Sequence, residues 1–394
     1  MRRYFLLTIT ILILGVEGGC TSLLSSPFAL STPPPTPTPI PAPTATPWPI
    51  PTRFATPEVG INAHLWWDRW AAQHDWQLIQ EANFRWVKQR LPWVNVRPFQ
   101  ERAYDWSISD QIVSEAASRD IKLLLRLDGA PQWAEVTAKS DATPAPPVEL
   151  EAWATFCSAV AERYRGQVAG YQIWNEPNLT REWSGQQPNP AAYVELLRVC
   201  AFSIKQADPA ALVITAGLAP TGSGPPHALP DEDFLRGMYE AGAAPYFDLL
   251  GVHAPGYAAP PETSPAEAAA TPGYGGQRFF TFRHVEDLRA IMEEHGDTHK
   301  QIALLEFGWT TDEIHPAYSW FAVTPEEQAD YLVRAIIYAR EHWSPWIGPL
   351  FVWSLPDPAW TPENEEFWWS IADPFHWQGG AVRPAYHALV ALLE

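Results

Sequence analysis

Cysteine is scarce in this chain. Its 394 residues include only three cysteines, Cys20, Cys157 and Cys200. A zinc site needs closely spaced pairs of cysteine and histidine, and no such spacing occurs. The histidines show no paired ligand motif either; those considered are His64, His253, His295 and His299. A metal-dependent hydrolase is therefore the least favoured class of enzyme, and we expect neither a metal nor a cofactor.

Cys157 and Cys200 lie on the apolar faces of two predicted helices, each flanked by apolar residues at helical spacing. Cysteines in this setting behave as small buried hydrophobic residues, and this is the favoured interpretation. The two helices flank the same predicted strand, so a disulfide between them stays open as the alternative in an oxidising compartment.

Basic residues are also few. Lysine and arginine total 26 against 45 aspartates and glutamates, which gives a formal net charge of −19 and a pI of about 5.0. Nucleic acids and anionic lipid surfaces are bound through basic patches. The composition therefore argues against nucleic acid as a partner and remains compatible with neutral sugars. We expect a monomer.

The apolar run over residues 4–16 is too short to span a bilayer comfortably. It follows two arginines and predicts a secretory signal peptide within residues 1–20. Cys20 follows two glycines, as a lipoprotein cysteine does, although Glu17 departs from that pattern. We expect an extracellular or cell-surface protein, lipid-anchored through Cys20. Cleavage without lipidation and an uncleaved N-terminal anchor remain the alternatives, and no other membrane contact is expected.

Residues 21–57 are predicted to form a linker. Proline and threonine dominate residues 31–57 and provide neither the donors nor the apolar surface for a packed core, so we expect an extended polyproline II spacer. Residues 58–394 are then left for the folded domain. Barrel domains of about 250 residues and more occur as single units, so this length is compatible with one domain.

Two apolar runs each end in a glutamate. The first is YQIWNEPNL, residues 171–179, which contains Glu176, and the second is IALLEFGW, residues 302–309, which contains Glu306. Paired carboxylates are the groups that cleave glycosidic bonds. Either glutamate alone is more typical of a solvated strand end. The adjacent Trp174 and Trp309 favour a sugar site, because tryptophan faces stack on sugar C–H surfaces and exclude water.

These two strings resemble the catalytic signatures of clan A retaining glycoside hydrolases, which include cellulase-like and β-xylosidase-like families. The resemblance extends from Val59 to the C-terminus. It implies a single (β/α)8 TIM barrel, with Glu176 as acid/base after strand four and Glu306 as nucleophile after strand seven.

The order of apolar runs and amphipathic stretches independently predicts parallel strands covered by helices. Helices are expected from residue 147 to 164, from 190 to about 206, from 325 to about 342 and from 384 onward. The eight strands are expected near Gly60–Ala63, Trp86–Gln89, Lys122–Leu127, Gly170–Trp174, Leu212–Ala216, Leu249–Val252, Ile302–Leu305 and Leu350–Trp353.

Two connections are too long to be simple turns. They follow strands six and eight, over residues 254–281 and 354–382, and the second is rich in tryptophan. Both lie at the strand ends where barrel enzymes build their sites. We expect them to form the walls of a substrate cleft; packing of their aromatic residues on each other is the alternative.

The resemblance implies further contacts around the two glutamates. Asn175 is expected to hydrogen-bond the sugar 2-hydroxyl, and Trp353 to form an aromatic platform after strand eight. His253 and Tyr257, at and after the end of strand six, are expected to hydrogen-bond Glu306 or to orient the catalytic pair.

An arginine on strand two usually braces the nucleophile in the clan. Here the register that fits the strand best puts Lys88 at that position, and lysine lacks the bidentate fork of arginine. Arg90 or Arg126 is expected to supply the charge, and the choice between them stays open. His64 and Trp309 are further candidates for sugar contacts.

The motifs predict a secreted retaining glycosidase that cleaves β-linked oligo- or polysaccharide. Glu306 is expected to attack the anomeric carbon, while Glu176, its pKa raised by apolar walls and by the neighbouring charge, donates a proton. Retention predicts carboxyl groups about 5 to 5.5 Å apart. The alternative is a non-catalytic carbohydrate-binding surface lipoprotein on a degenerate barrel. The sugar, and endo versus exo action, stay open.

Overall fold

Eight parallel strands form a closed barrel in which each strand pairs with the next along the chain and the last pairs with the first. The computed structural model describes residues 54–135 and 145–394, so the predicted signal peptide and Cys20, and all but the end of the predicted linker, lie outside the described residues. The strands are β1 (Val59–Ala63), β2 (Trp86–Pro92), β3 (Lys122–Asp128), β4 (Gly170–Ile173), β5 (Leu212–Thr215), β6 (Leu249–His253), β7 (Gln301–Phe307) and β8 (Ile347–Val352). The eight predicted strands and the TIM barrel are confirmed.

Helices alternate with the strands and cover the outside of the barrel. They are α1 (Arg69–Glu81), α2 (Trp93–Val96), α3 (Ser107–Ser118), α4 (Leu150–Arg163), α5 (Pro190–Ala207), α6 (Asp231–Glu240), α7 (Pro265–Ala270), α8 (Val285–Glu294), α9 (Pro325–His342) and α10 (Pro384–Leu393). Local signals fix their first turns: Asn189 caps α5, and Thr324 with Glu327 forms the predicted capping box of α9. Within the described residues, every helix is too short or too polar to span a bilayer.

The barrel interior is apolar towards the N-terminal ends of the strands. Side chains alternate along a strand, so residues two apart share a face. From β2 and β3, Trp86 and Leu124 contribute to the internal apolar cluster. Lys88, Arg90 and Arg126 lie two or four residues further along and therefore face the same interior. The interior thus turns polar and charged towards the C-terminal ends, where the site lies.

Cys157 on α4 and Cys200 on α5 form a disulfide, with their Cα atoms 5.4 Å apart. The favoured expectation of two unpaired thiols is therefore wrong, and the alternative holds. Apolar spacing placed both cysteines correctly on buried helix faces, but it could not show that the two faces meet. The disulfide joins the helices on either side of β4, the strand that leads to Glu176.

The connections after β6 and β8 are long, as expected. Before α8 begins, the first connection contains one α-helix, the short α7. The second contains no α-helix before α10. Both start at the C-terminal ends of strands, and both contribute residues to the cavity described below.

Candidate active site

A cavity of about 1040 Å³ opens at the C-terminal ends of the strands. Glu176 and Glu306, the two glutamates singled out by the sequence, both line it. Polar side chains from the first three strands form one part of its wall, and the long connections after β6 and β8 form another. The cavity therefore lies at the face of the barrel where such folds carry their sites.

The chain makes a strained turn as it leaves β4. Trp174 and Glu176 have positive φ angles of 69° and 38°, a region that residues other than glycine rarely adopt. The Glu176 N–H donates a hydrogen bond to the Gly217 carbonyl at 3.0 Å, which ties the turn to the end of β5. This turn aims Glu176 and the neighbouring Asn175 into the cavity.

Asn175 is held by β4 itself. Gln172 is fully buried, and its Nε2 donates to the Trp174 carbonyl at 2.8 Å and to Asn175 Oδ1 at 3.4 Å. Asn175 is mostly buried and lines the cavity next to Glu176. This position suits the expected hydrogen bond to a sugar hydroxyl.

Glu306 lies near the end of β7, opposite His253 across a register shift between β6 and β7. Lys88 Nζ lies 2.7 Å from Glu306 Oε1 and also donates to the Leu305 carbonyl at 3.3 Å. Its side chain is only 3% exposed. Burial lowers the pKa of Lys88 to about 8, because desolvation of the ammonium outweighs the nearby charge of Glu306.

Lys88 therefore occupies the position that arginine was expected to fill. Arg90 and Arg126 were the expected sources of this charge, and that expectation is wrong. Arg90 Nε instead contacts Asp128 Oδ1 at 2.7 Å, and Arg126 Nε lies 2.8 Å from Asp128 Oδ2. Both arginines still line the cavity. The predicted register of β2 agrees with the structure, and the side chain of Lys88 is long enough to reach Glu306 from this position.

His253 lies between the two glutamates. Its Nδ1 is 2.9 Å from Glu176 Oε1, and its Nε2 is 3.5 Å from Glu306 Oε1. One carboxylate oxygen of each glutamate and one His253 nitrogen lie within 4.8 Å of one another. The two acids thus meet at one point of the cavity, and the expectation that His253 orients them agrees with this geometry.

Glycine is required where His253 approaches the end of β5. A Cβ atom on Gly217 would lie 2.1 Å from the His253 ring, far inside van der Waals contact. The need for glycine at position 217 cannot be predicted from the sequence, because it arises from the ring of His253 on the next strand.

Glu176 carries a second contact, from Arg181 in the loop that follows the turn. Arg181 Nη2 donates to Glu176 Oε2 at 3.1 Å, and the Arg181 side chain is 66% exposed. Burial alone would raise the pKa of Glu176, but the hydrogen bonds and charges of His253 and Arg181 outweigh it and lower the pKa to about 2. The expected rise in this pKa is therefore wrong.

Trp309 and Trp174, which were expected near the sugar, do not line the cavity. Trp309 is fully buried, donates its Nε1–H to the Ala259 carbonyl at 2.9 Å, and packs against Gly256. Trp174 is fully buried as well. Neither offers a face to the cavity, because each packs into the layer between barrel and helices. Both residues lie beyond the last residues of their strands, Ile173 and Phe307, where the alternation of side chains no longer decides which way they face.

Other aromatic residues do line the cavity. Trp353 follows β8 and is half-buried, as the platform expectation requires, and Trp360 and Trp369 come from the same long connection. Tyr257 lines the cavity too, but its hydroxyl points to the Pro220 carbonyl at 3.5 Å. Among the described residues, no hydrogen bond joins Tyr257 to Glu306. Of the two residues that were expected to contact Glu306, His253 does so.

His64 lies at the edge of the cavity, with its ring 4.6 Å from that of Trp360. Burial, with the charges of Arg126, Lys88 and Arg90, lowers the pKa of His64 to about 3, so it is neutral. Its position is compatible with the expected sugar contact.

Two groups of side chains among the described residues could in principle hold a metal ion. The first is Glu176, His253 and Glu306, where Lys88 and Arg181 already supply positive charge. The second consists of Glu232, His284 and Asp287. In that group, carboxylates raise the pKa of His284 to about 10 despite burial, and a protonated imidazole has no lone pair to offer.

The sequence matches no protein-family model and no curated protein. Solved structures match the fold. A family 39 glycoside hydrolase from the gut symbiont Bacteroides cellulosilyticus WH2 aligns with a TM-score of 0.61 and 23% identity, over 86% of this chain and 64% of that one. GH5_18 from Streptomyces cattleya, in complex with GlcNAc, aligns with a TM-score of 0.58 and 14% identity, over 86% and 80% of the two chains.

The exo-beta-1,4-mannosidase Op5Man5 from Opitutaceae bacterium strain TAV5 aligns with a TM-score of 0.53 and 19% identity, over 86% of this chain and 59% of that one. This chain therefore spans less than two thirds of the family 39 enzyme and of the mannosidase. At these identities the likeness defines the fold. That fold is a closed (β/α)8 barrel, as in these glycoside hydrolases.

Proposed function

We propose that this chain is a retaining glycosidase that cleaves β-linked saccharides by double displacement. The observation that carries the proposal is the pair Glu176 and Glu306, with carboxylate oxygens within 4.8 Å of each other in a cavity large enough for a sugar. Retaining enzymes hold their carboxyl groups about 5 to 5.5 Å apart, whereas inverting enzymes leave roughly 6.5 to 9.5 Å for a water molecule.

Glu306 is assigned as the nucleophile. Lys88 and His253 both approach its Oε1, and no described residue hydrogen-bonds its Oε2. The free oxygen is available to attack the anomeric carbon. The buried ammonium of Lys88 stabilises the negative charge of the carboxylate until attack, and again when the glycosyl-enzyme breaks down.

Glu176 is assigned as the acid/base. It donates a proton to the departing oxygen and later removes one from the water that releases the sugar. The contacts of Arg181 and His253 favour the ionised form of Glu176, so substrate binding has to raise this pKa before Glu176 can donate a proton. Arg181 is well exposed, so a saccharide on the leaving-group side can displace it.

The test is the variant Glu306→Ala, assayed on a panel of aryl β-glycosides. It is expected to lose turnover, and azide is expected to restore activity while giving a glycosyl azide of inverted configuration. Glu341→Ala, which removes an exposed glutamate at the end of α9, is the matched control and should behave as the unmodified protein. Turnover that survives in Glu306→Ala would remove the nucleophile assignment.

A non-catalytic carbohydrate-binding protein is the second candidate, because the contacts of Arg181 and His253 favour the ionised form of Glu176, which has no proton to donate. The same panel separates the two candidates. Binding of an oligosaccharide without release of any aryl group would support the binding protein.

We further propose that the protein works outside the cytoplasm as a monomer, held at the cell surface through Cys20. The Cys157–Cys200 disulfide supports an oxidising compartment. Cys20→Ala is expected to move the full-length protein from the membrane fraction to the medium. Retention of Cys20→Ala in the membrane fraction would favour an uncleaved N-terminal anchor instead.

A further inference from the structure

Arg90 and Arg126 form a pair on the β2–β3 side of the cavity. The two residues are direct neighbours in the register of these strands, and both face the interior. Each contacts a different oxygen of the same carboxylate: Arg90 Nε is 2.7 Å from Asp128 Oδ1, and Arg126 Nε is 2.8 Å from Asp128 Oδ2. Asp128 is buried, so it anchors the inner edge of both guanidinium groups.

The outer nitrogens of this arginine pair are free to bind a ligand. Among the described residues, no hydrogen bond joins an Nη atom of Arg90 or Arg126 to another group. The two side chains are 39% and 16% exposed, and both line the cavity. Because the contacts with Asp128 use the Nε atoms, the Nη donors stay available to a second oxyanion, which a planar guanidinium fork can bind through two hydrogen bonds.

Asp128 is the carboxylate in direct contact with both arginines, while Lys88 is paired with Glu306 and His64 is neutral. Glu182 also lines the cavity and interacts electrostatically with Arg126. The two guanidinium groups thus share one contacting carboxylate, and a second oxyanion that contacts them would form a further charged pair.

Arg126 lies close to the reacting centre. Burial opposes the charged form of Arg126, but Asp128, Glu306, Glu182 and Glu176 outweigh it and raise the pKa of Arg126. Both catalytic glutamates are thus within electrostatic range of its guanidinium. The acidic Glu365 and Glu366 line the cavity from the connection after β8. Lys88, Arg90 and Arg126 line it on the β2–β3 side, which is therefore basic. A group bound there belongs to a sugar in the cleavage site or next to it.

We propose that Arg126, with Arg90, binds a carboxylate carried by the sugar, so that the substrate of this site is a β-linked uronide or a polysaccharide containing uronic acid. This inference rests on the proposed glycosidase function. A carboxylate matches the guanidinium fork in shape and charge, whereas the hydroxyl of a neutral sugar would form only weaker hydrogen bonds with it.

The test compares matched aryl β-glucuronide and β-glucoside substrates with the full-length protein. The unmodified protein is expected to favour the glucuronide in kcat/KM. Arg126→Ala is expected to lower the glucuronide-to-glucoside ratio roughly 10- to 100-fold, the size of a lost charged hydrogen bond. Arg126→Lys should retain part of the preference, because it keeps the charge but not the fork. In Arg126→Ala the carboxylate of Asp128 keeps its contact with Arg90.

Arg236→Ala is the matched control, since Arg236 lies on the surface of α6 and pairs with Glu294. It should leave the ratio unchanged. A preference for the glucoside in the unmodified protein, or equal losses on both substrates in Arg126→Ala, would overturn the inference while leaving the glycosidase proposal intact.

Binding separates failure of the inference from failure of the function. Calorimetry with free glucuronate, glucose and glucose 6-sulfate uses no turnover. Glucuronate is expected to bind more tightly than glucose, and Arg126→Ala to remove the difference. If no aryl glycoside is cleaved but this binding pattern holds, the glycosidase proposal fails and the carboxylate site stands. Tighter binding of the sulfate than of glucuronate would assign the site to sulfated sugars and contradict the uronide.

Discussion

Individual side chains give the two glutamates different environments. Glu306 contacts a buried lysine, whereas Glu176 contacts a histidine and an exposed arginine. Glu306, the proposed nucleophile, therefore has a buried ammonium beside it. Arg181, one partner of the proposed acid/base Glu176, is well exposed. Such asymmetry is what a pair of carboxyl groups needs to perform two different tasks at one pH.

Replacing Lys88 tests the first of these environments. Lys88→Met removes the only described ammonium in contact with Glu306 and is expected to lower kcat/KM about 100-fold or more, on the scale of other lost charge-stabilising donors. Lys88→Arg, which keeps the charge, should retain more activity. Lys205→Met is the matched control, because Lys205 is also buried and ion-paired, with Asp248, but far along α5. Lys205→Met is expected to lose stability but keep its activity. Lys88→Met is expected to lose activity but keep its stability.

Replacing Arg181 tests the second environment through pH. Arg181 helps to hold the pKa of Glu176 at about 2, so its removal raises that pKa. The protonated acid then persists to higher pH, and in Arg181→Ala the alkaline limb of kcat/KM is expected to move upward. Arg198→Ala, which removes an arginine paired with Glu195 on α5, should leave the profile in place. An alkaline limb that stays fixed or moves to lower pH in Arg181→Ala would contradict the assignment of Glu176.

The sequence identified residues whose roles are set by their own strand. Asn175, Glu176 and Trp353 follow the ends of their strands, and Glu306 lies near the end of β7. All four line the cavity. It could not identify contacts between loops. Arg181 has no distinguishing pattern of its own, because its contact with Glu176 depends on a turn with positive φ angles that propensity does not predict.

Elements of secondary structure were easier to predict than their contacts. The capping box at Thr324 and the cap at Asn189 gave two helix starts correctly, because these signals act within four residues. The Cys157–Cys200 disulfide joins α4 to α5 over a separation of 43 residues, and only the packing of the two helices decides it.

The disulfide is expected to stabilise the barrel. Removing it in the double variant Cys157→Ala/Cys200→Ala should lower the free energy of unfolding by about 2 to 4 kcal/mol, because the unfolded chain gains freedom. Chemical denaturation of this variant and of the unmodified protein measures the difference. Adding a reductant should destabilise the unmodified protein and leave the variant unchanged. Equal stability of the two proteins would contradict a closed disulfide.

His284 links the start of α8 to α6. Its Nε2 lies 2.7 Å from Asp231 Oδ2 and its Nδ1 3.3 Å from Asp287 Oδ2, and Glu232 and Arg278 complete the surrounding charges. Burial opposes the charged imidazole, but the two aspartates win and raise its pKa from 6.5 to about 10.

A raised pKa in the folded state gives stability that is present below the unfolded value of 6.5 and is lost as pH rises towards 10. His284→Gln keeps most of the shape but cannot carry the charge. The difference in thermal midpoint between the unmodified protein and His284→Gln is therefore expected to be largest near neutral and lower pH and mostly gone by pH 10. A difference that grows with pH would contradict a charged His284.

The whole molecule brings the predicted parts to one place. Eight strands in sequential order close the barrel, and closure turns the ends of β4 and β7 into neighbours across a single cavity. The count and order of apolar runs sufficed to predict this architecture. The charge pattern inside the cavity was not predictable, because it depends on which strand residues face inward at the mouth and on how long connections fold back over them.

The most direct test of the central claim is covalent trapping of the glycosyl-enzyme. The protein is incubated with 2-deoxy-2-fluoro β-glycosides with good leaving groups, both neutral and uronide, then digested and analysed by mass spectrometry. The account predicts that one glycosyl unit is attached to Glu306, within the peptide that spans β7. Cleavage of these compounds with inversion, or attachment to any other residue, would contradict it.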